Sequence, residues 1–332
     1  MPADRRIVAP TTDPALTEAL RLGLAQVEAA LHAAVKSDYP FVTEASTHLV
    51  DAGGKRSRPL LVLLAAQFGD PTAPGVVPSA VVVELTHLAT LYHDDVMDEA
   101  ALRRGAASAN ARWDNTVAIL TGDFLFARAS DILADLGPEA VRLQARTFER
   151  LVTGQIRETV GPPEGADPVD HYLSVLADKT ASLIATSARF GALLAGADES
   201  TVDVLTRFGE RFGTAFQLSD DLLDVLSETT QSGKTPGTDL REGVATLPVL
   251  LMRRVAGPAD ARLLALLDGD LADDREHAEA LQLLRAHPAM AAAQAEVARW
   301  ADAARDVLAP LPDVPAKDAL AALCDQVVGR TA

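Results

Sequence analysis

Two aspartate clusters of the pattern Asp-Asp-x-x-Asp have a spacing that suits metal chemistry. Their members are Asp94, Asp95 and Asp98 in the first cluster and Asp220, Asp221 and Asp224 in the second. On a helix, residues four apart lie about 40° from each other around the axis, so the first and last aspartate of each cluster share a face. Carboxylates crowded on one face repel one another unless a cation lies between them. Because their hard oxygens favour magnesium, the clusters predict two facing helices that hold a magnesium-bound diphosphate.

The elements that position the clusters are predicted to be long helices. The sequence predicts helices over Pro78–Leu102 and Thr201–Leu226, and each has its acidic cluster near the C-terminal end. A helix C-terminus carries a partial negative charge, so carboxylates there are unfavourable without a cation. One such cluster could be a solvated helix face, but two copies in similar apolar settings favour a functional role.

Basic residues beside the first cluster are predicted to bind anions. Lys55, Arg56 and Arg58 open a helix, where backbone N–H groups and cations together form an anion site. Arg103 and Arg104 follow the first cluster and can reach back over its carboxylates toward a phosphate. The alternatives are a solvated turn for the loop and helix-capping for the arginine pair.

Further polar residues accompany the second cluster and the helix of the first. Lys179 and Thr180 lie in an apolar helical stretch, where a buried lysine requires an anionic partner. Lys234 lies in a glycine-rich loop, and an ordinary surface position remains open for both lysines. Gln217 precedes the second cluster by one turn and could face the same cavity. His87 lies two turns before the first cluster on the same face.

Composition indicates an all-α protein and excludes several classes. Lysine and arginine number 30 against 47 aspartates and glutamates, a net charge of −17, so no nucleic-acid partner is expected. The chain is rich in alanine and leucine, and no alternating strand run is evident. Its one cysteine, Cys324, excludes an intrachain disulfide and suits a reducing cytoplasm. No signal peptide and no transmembrane segment are predicted.

Together these motifs resemble the trans-isoprenyl diphosphate synthase family, most of all its actinobacterial polyprenyl members. The matching segments follow the family's order: Gly53 to Pro59, His93 to Asp98, Arg103 to Gly105, Lys179 to Thr180, Gly213 to Asp224 and Gly233 to Asp239. The resemblance implies a single-domain antiparallel helical bundle around a central cavity, over 13–332, after a flexible N-terminus, 1–12. It also implies a homodimer.

The resemblance further implies an enzyme that joins isopentenyl diphosphate head to tail to an allylic diphosphate, with three magnesium ions per active site. The implied magnesium ligands are Asp94, Asp98 and Asp220, supported by Asp95, Asp221 and Asp224. The residues implied to hold the allylic diphosphate are Arg103, Lys179, Thr180, Gln217 and Lys234. Those implied for isopentenyl diphosphate are Lys55, Arg58, His87 and Arg104. The implied catalytic set is Asp94, Asp98, Arg103, Lys179, Asp220 and Lys234.

Product length, by the same resemblance, depends on residues one and two helical turns before Asp94. These are Leu85, Thr86, Ala89 and Thr90. The small side chain of Ala89, where short-chain enzymes carry an aromatic, predicts an open tunnel and a medium- or long-chain product. The alternative product is geranylgeranyl diphosphate.

Two other activities remain as alternatives. A class I terpene cyclase would ionise the same substrate, but the intact second cluster and the Lys55–Arg58 loop disfavour it. A non-catalytic subunit of a heteromeric synthase would typically lack the acidic or basic clusters, which this chain retains.

Overall fold

The computed structural model describes residues 11–227 and 236–331, and helices dominate them. The helices of the N-terminal part are α1 (Pro14–Ala34), α2 (Pro40–Asp51), α3 (Ser57–Ala66), α4 (Val76–Met97), α5 (Ala109–Arg112), α6 (Asn115–Leu136) and α7 (Pro138–Val160). Those of the middle part are α8 (Pro168–Leu176), α9 (Ser182–Leu194), α10 (Glu199–Leu226) and α11 (Thr238–Arg241). The last are α12 (Leu247–Val255), α13 (Ala261–Leu267), α14 (Asp274–Ala286), α15 (Ala289–Val307) and α16 (Pro315–Gly329). The predicted all-α class is confirmed.

Three short elements interrupt the helical pattern. A two-stranded antiparallel hairpin pairs β1 (Leu102–Arg103) with β2 (Ala106–Ala107) directly after α4. A π-helical segment, Ala177–Ala181, joins α8 to α9, and a 3₁₀ turn, Pro258–Asp260, precedes α13. The hairpin and the π-helical segment both carry residues of the candidate site.

By its internal contacts the chain divides into two compact units. The first comprises Met1–Glu149, Leu183–Gly209 and Leu308–Ala322, and the second comprises Arg150–Ser182, Glu210–Val307 and Leu323–Ala332. The first unit contains the first acidic cluster with the basic loop, and the second unit contains the second cluster with Lys179. The predicted single domain over 13–332 remains a prediction, and most of the predicted flexible N-terminus lies outside the described residues.

The core of the first unit is built around α4, which packs against α1, α3 and α6. Its apolar residues are buried on nearly all sides, as in an interior helix, with Leu85 and Leu88 fully excluded from solvent. Helix α1 begins where the Asp13 side chain accepts a hydrogen bond from the Leu16 N–H at 2.7 Å. Pro14 at its first turn has no N–H that needs a partner.

In the second unit, α12 packs against α8 and α15, and α14 contacts α13 and α15. Helices α12 and α13, on either side of Pro258, have 9 and 7 residues, whereas α15 directly after Pro288 has 19. Within the described residues, no helix combines the length and apolar character needed to cross a membrane.

Several predicted helix boundaries differ from the structure. The helix predicted over Pro78–Leu102 ends at Met97, because the chain turns there into the β1–β2 hairpin. The apolar helical stretch that carries Lys179 and Thr180 is divided by the π-helical segment into α8 and α9. Helix α2 was not predicted, because its Ser, Thr and His residues weaken an apolar helical pattern.

Candidate active site

The first acidic cluster lies at the C-terminal end of α4, where its three carboxylates have different exposures. Asp95 is fully buried, Asp94 is partly buried, and Asp98, the C-terminal cap of the helix, has a half-exposed side chain. Burial raises the pKa of Asp95 in spite of its arginine partner, because a carboxylate loses hydration there. Its buried Oδ2 has no hydrogen-bond partner among the described residues.

Arg103, in β1, lies over this cluster as the sequence predicted for the arginine pair. Its Nε–H donates to Asp95 Oδ1 at 2.5 Å, and its Nη2 lies 3.7 Å from Asp98 Oδ2. The hairpin after α4 folds the chain back so that the guanidinium reaches carboxylates a few residues earlier. One cation is therefore held against two acidic side chains.

Arg104 points toward the glycine loop rather than toward the carboxylates. Its Nη1–H donates to the carbonyl oxygens of Leu49 and Gly53, and its Nη2 lies 3.9 Å from a Glu84 oxygen. A Cβ at Gly54 would lie 2.9 Å from the Arg104 guanidinium carbon, so the glycine leaves room for this packing. Arg104 is thereby held beside the basic loop.

The basic loop contains one structural cation and two candidate anion-binding cations. Arg56 is buried, donates to both carboxylate oxygens of Glu28 at 3.0 Å and to Glu84 at 2.9 Å, and therefore stabilises the fold. It adopts a left-handed conformation, with φ of 49°, just before α3. Lys55 is exposed and Arg58 is partly buried, so a substrate in solution can reach both side chains.

His87 lies on α4 among these cations. Burial, together with the positive charges of Arg58, Arg104 and Arg103, holds the pKa of His87 well below its usual range. The imidazole is therefore neutral near pH 7 and can donate one hydrogen bond to an anion. The structure thus places Arg58 and Arg104 of the predicted group near His87, and Lys55 belongs to the same unit.

The four predicted chain-length residues lie in the buried part of α4. Leu85, Thr86 and Ala89 are fully buried, and Thr90 is partly buried. Gln144 of α7 donates its Nε2–H to Thr86 Oγ1 at 2.7 Å, and the Gln144 Oε1 atom is buried without a hydrogen-bond partner in the described chain. The buried residues of α4 near Ala89 are therefore not all apolar, because the Gln144–Thr86 hydrogen bond lies among them.

In the second unit, Lys179 and Thr180 lie in the π-helical segment. Such segments are rare and frequently mark functional sites. Gly154 of α7 permits close approach, because a Cβ there would lie 2.7 Å from the Lys179 backbone nitrogen. Arg150 and Arg157 of α7 each lie 3.0 Å from an oxygen of Asp178, which fixes the segment against α7.

Lys179 is only partly buried and forms an ion pair with Glu158 of α7. Its Nζ donates to Glu158 Oε2, and about a third of the lysine side chain is exposed (32%). The ion pair occupies a position that solvent can reach, so an incoming anion can compete with Glu158 for the ammonium.

The second acidic cluster lies near the end of α10, and protein donors occupy its carboxylates unequally. Asp220 pairs with Arg330 from the C-terminal end of the chain. Asp221 is buried and accepts one hydrogen bond from Gln217 Nε2 at 2.8 Å and another from the Tyr172 hydroxyl. Burial raises the pKa of Asp221 to about 6, in spite of these two donors.

Asp224 holds the segment just after residue 236, where the described part of the chain resumes. Its Oδ1 accepts the Thr238 N–H at 3.2 Å, and its Oδ2 accepts the Asp239 N–H at 3.0 Å. Both carboxylate oxygens therefore stabilise the start of α11. The predicted substrate-binding residue Lys234 lies outside the described residues.

Comparison with known proteins identifies the family. The family model described as polyprenyl synthetase matches residues 39–284, which is most of the chain. The chain belongs to the polyprenyl synthetase family. It is a prenyltransferase, and the predicted resemblance is confirmed.

Relatives within the polyprenyl synthetase family match nearly the whole chain. A nonaprenyl diphosphate synthase of Mycobacterium tuberculosis is 52% identical over 319 residues, which cover 96% of this chain and 95% of that protein. A geranylgeranyl pyrophosphate synthase from Corynebacterium glutamicum, solved with calcium and isoprenyl diphosphate, is 48% identical with a TM-score of 0.87 and coverages of 97% and 99%. A decaprenyl diphosphate synthase from Rhodobacter capsulatus is 36% identical, with a TM-score of 0.87 and coverages of 96% and 99%.

The acidic residues of this polyprenyl synthetase suit a magnesium ion that takes most of its ligands from water and phosphate oxygens and only a few from the protein. Within 11–227 and 236–331, no three His, Cys, Asp or Glu side chains are grouped closely enough to hold a metal ion by themselves. Magnesium uses few protein carboxylates and completes its octahedron with water and phosphate oxygens. The unpartnered Oδ2 of Asp95 and the partly exposed Asp98 and Asp220 fit that mode.

Three residues of this family member contact the predicted site but were missed by sequence reasoning. They are Glu158, Tyr172 and Arg330. Glu158 could have been suggested by the anionic partner that Lys179 requires. Tyr172 and Arg330 belong to no motif recognised in the sequence, and their contacts with Asp221 and Asp220 depend on tertiary folding.

Proposed function

We propose that this protein is a magnesium-dependent trans-polyprenyl diphosphate synthase. It condenses isopentenyl diphosphate head to tail with an allylic diphosphate and makes a medium- or long-chain product. The observation that carries the proposal is Arg103, held by its hairpin against Asp95 and Asp98 of the first acidic cluster. A cation beside a carboxylate cluster suits a site for a metal-bound diphosphate.

The allylic diphosphate is assigned to the two acidic clusters and to Arg103, Lys179, Thr180, Gln217 and Lys234. Magnesium, with three ions expected, would neutralise the diphosphate and favour its departure as pyrophosphate. Asp94, Asp98 and Asp220 are assigned as the chief magnesium ligands. Asp221 and Asp224 support the second cluster, because protein donors engage both oxygens of each. Lys179 would exchange Glu158 for the diphosphate.

Isopentenyl diphosphate is assigned to Lys55, Arg58, His87 and Arg104. The neutral imidazole of His87 contributes a hydrogen bond, and the three cations contribute charge. Holding the alkene of this substrate beside the allylic carbon converts a bimolecular reaction into an effectively unimolecular one. After the alkene has attacked, a proton is lost from the product cation, and we assign the departed pyrophosphate as its acceptor.

A medium- or long-chain product is supported by the small residue at position 89 and by the nonaprenyl and decaprenyl relatives. Counting back from Asp94 to Ala89 and then to Leu85 follows α4 for about 8 and about 14 Å at 1.5 Å per residue. A chain that grows along this face meets no aromatic side chain at Ala89. Geranylgeranyl diphosphate is the second candidate product, because a geranylgeranyl pyrophosphate synthase is also among the similar structures.

The protein is proposed to act as a homodimer in the cytoplasm. Apolar side chains that remain exposed on α6 and α7 are consistent with a subunit interface. They are Ile119 and Leu120 in the first unit and Val152, Ile156 and Val160 in the second. An exposed apolar surface marks an interaction site where its residues form a large contiguous patch.

Dependence on isopentenyl diphosphate separates a synthase from a terpene cyclase. The purified protein is incubated with magnesium and each short allylic diphosphate, with and without isopentenyl diphosphate. We expect pyrophosphate release only with both substrates, and loss of release in Asp94→Asn and Asp220→Asn. Turnover of the allylic diphosphate alone would favour the cyclase, and an inactive purified chain would favour a non-catalytic subunit.

A further inference from the structure

Asp221 is held in one orientation by donors on both of its oxygens. Gln217 Nε2 lies 2.8 Å from Asp221 Oδ1, and the Tyr172 hydroxyl donates to Asp221 Oδ2. The carboxylate is buried, with only 8% of the residue exposed. A buried carboxylate that lost one of these donors would rotate or recruit water, since an unpaired oxygen is costly there.

The same contacts extend to the segment that carries Lys179. Thr180 donates its hydroxyl to Gln217 Oε1 at 3.1 Å, so Gln217 bridges Thr180 and Asp221. A hydrogen-bonded chain thus runs from Thr180 through Gln217 and Asp221 to Tyr172. All four residues belong to the second unit.

Tyr172 is itself fixed at the end of this chain. It lies on α8, seven residues before Lys179, and the backbone N–H of Leu247 at the start of α12 lies near the same hydroxyl. The ring therefore links α8 and α12 to the second acidic cluster on α10. A phenylalanine would keep the ring in place and remove the hydroxyl, which donates to Asp221 and lies near the Leu247 N–H.

We propose that Tyr172 is a positioning residue for the condensation. It orients Asp221 and, through Gln217, the Thr180 side chain. The second acidic cluster and the Lys179–Thr180 segment then present a fixed geometry to the allylic diphosphate. The proposal rests on the proposed function, because the diphosphate is the group that this geometry serves. Tyr172 itself does not touch the reacting atoms.

Tyr172→Phe tests the proposal by separating the two substrates. We expect KM for the allylic diphosphate and the magnesium concentration for half-maximal rate to rise about tenfold, with KM for isopentenyl diphosphate unchanged. Manganese, added together with inorganic pyrophosphate and followed by electron paramagnetic resonance, should bind about tenfold more weakly. The manganese measurement does not depend on turnover, so it reports on Tyr172 even if the wild-type protein proves to catalyse another reaction.

Two comparisons distinguish positioning from a merely structural role. Tyr92→Phe removes another buried hydroxyl, which donates to Ala45 O and accepts the Leu49 N–H, so it should lower Tm without weakening manganese binding. In an Asp221→Ala background no side-chain acceptor remains for the Tyr172 hydroxyl, so Tyr172→Phe should add no further loss. A Tyr172→Phe protein with a lowered Tm but wild-type manganese affinity and allylic KM would overturn the proposal.

Discussion

Arg103 donates its Nε–H to Asp95 Oδ1 at 2.5 Å, and this pair joins the hairpin after α4 to the first acidic cluster. Asp95 is fully buried and Arg103 is about one-quarter exposed (24%). The aspartate therefore fixes the arginine, while part of the guanidinium remains accessible to an anion. This contact explains why an arginine follows the cluster so closely. One side of its guanidinium is paired with a buried carboxylate, and the other side is exposed to solvent.

Arg103→Gln should abolish most of the activity. The variant removes the charge that would stabilise the departing pyrophosphate, and loss of one such donor typically reduces kcat by about a hundredfold or more. Steady-state kinetics with saturating magnesium measure the effect. Arg112→Gln is the matched control, because Arg112 makes an exposed ion pair with Glu44 at 2.6 Å in the same unit. Equal kcat values for the two variants would remove Arg103 from the mechanism.

Ala89→Phe should shorten the product. The added ring would occupy the face of α4 along which the chain is proposed to grow, one turn before Asp94. Products are dephosphorylated and sized by chromatography. Leu88→Phe provides the control, since Leu88 is equally buried but points about 100° away around the helix. If the product distribution of Ala89→Phe matched that of the wild type, this face would not line the tunnel.

Gly154→Ala should weaken binding of the allylic diphosphate. A Cβ at this position would lie 2.7 Å from the Lys179 backbone nitrogen, so the π-helical segment must shift. Overpacking of this kind costs about 1–3 kcal/mol, and the same shift should raise KM for the allylic substrate. Gly257→Ala, with no atom within 4 Å of the new Cβ, is the control for a glycine substitution in the second unit. A normal KM in Gly154→Ala would mean that the segment tolerates displacement.

Asp221 should make the metal-free protein less stable as pH rises. Burial raises its folded pKa from 3.8 to about 6, so between these values the folded state binds more protons than the unfolded state. The free energy of unfolding therefore decreases as pH rises through this window, by on the order of 3 kcal/mol, and the loss is complete above it. Urea unfolding in EDTA at low and neutral pH should show a smaller decrease for Asp221→Asn. An identical decrease in both proteins would contradict the assignment.

The chemistry of the site could be predicted from the sequence better than its supporting contacts. The Asp-Asp-x-x-Asp spacing depends only on helix periodicity, so the amino-acid sequence was sufficient to place both clusters near the C-terminal ends of long helices. The π-helical turn at Lys179 could not be predicted, because it depends on the close approach of Gly154 and the ion pairs of Arg150 and Arg157. The Arg330–Asp220 pair joins residues far apart in sequence, and no local pattern encodes it.

The role of Arg56 also could not be predicted from the sequence. Sequence reasoning counted it among the cations of an anion-binding loop, whereas the structure buries it between Glu28 and Glu84. Composition cannot distinguish a cation that stabilises the fold from one that meets a substrate, because both lie in the same basic run. Burial and partner geometry make that distinction.

The most direct test of the central claim is to size the products made from labelled isopentenyl diphosphate. The purified protein is supplied with magnesium and, separately, each short allylic primer, and the dephosphorylated products are separated by length. We predict a ladder that extends well beyond four isoprene units. A sharp stop at three or four units would contradict the open tunnel at Ala89, and no condensation by the folded protein would contradict the proposed reaction itself.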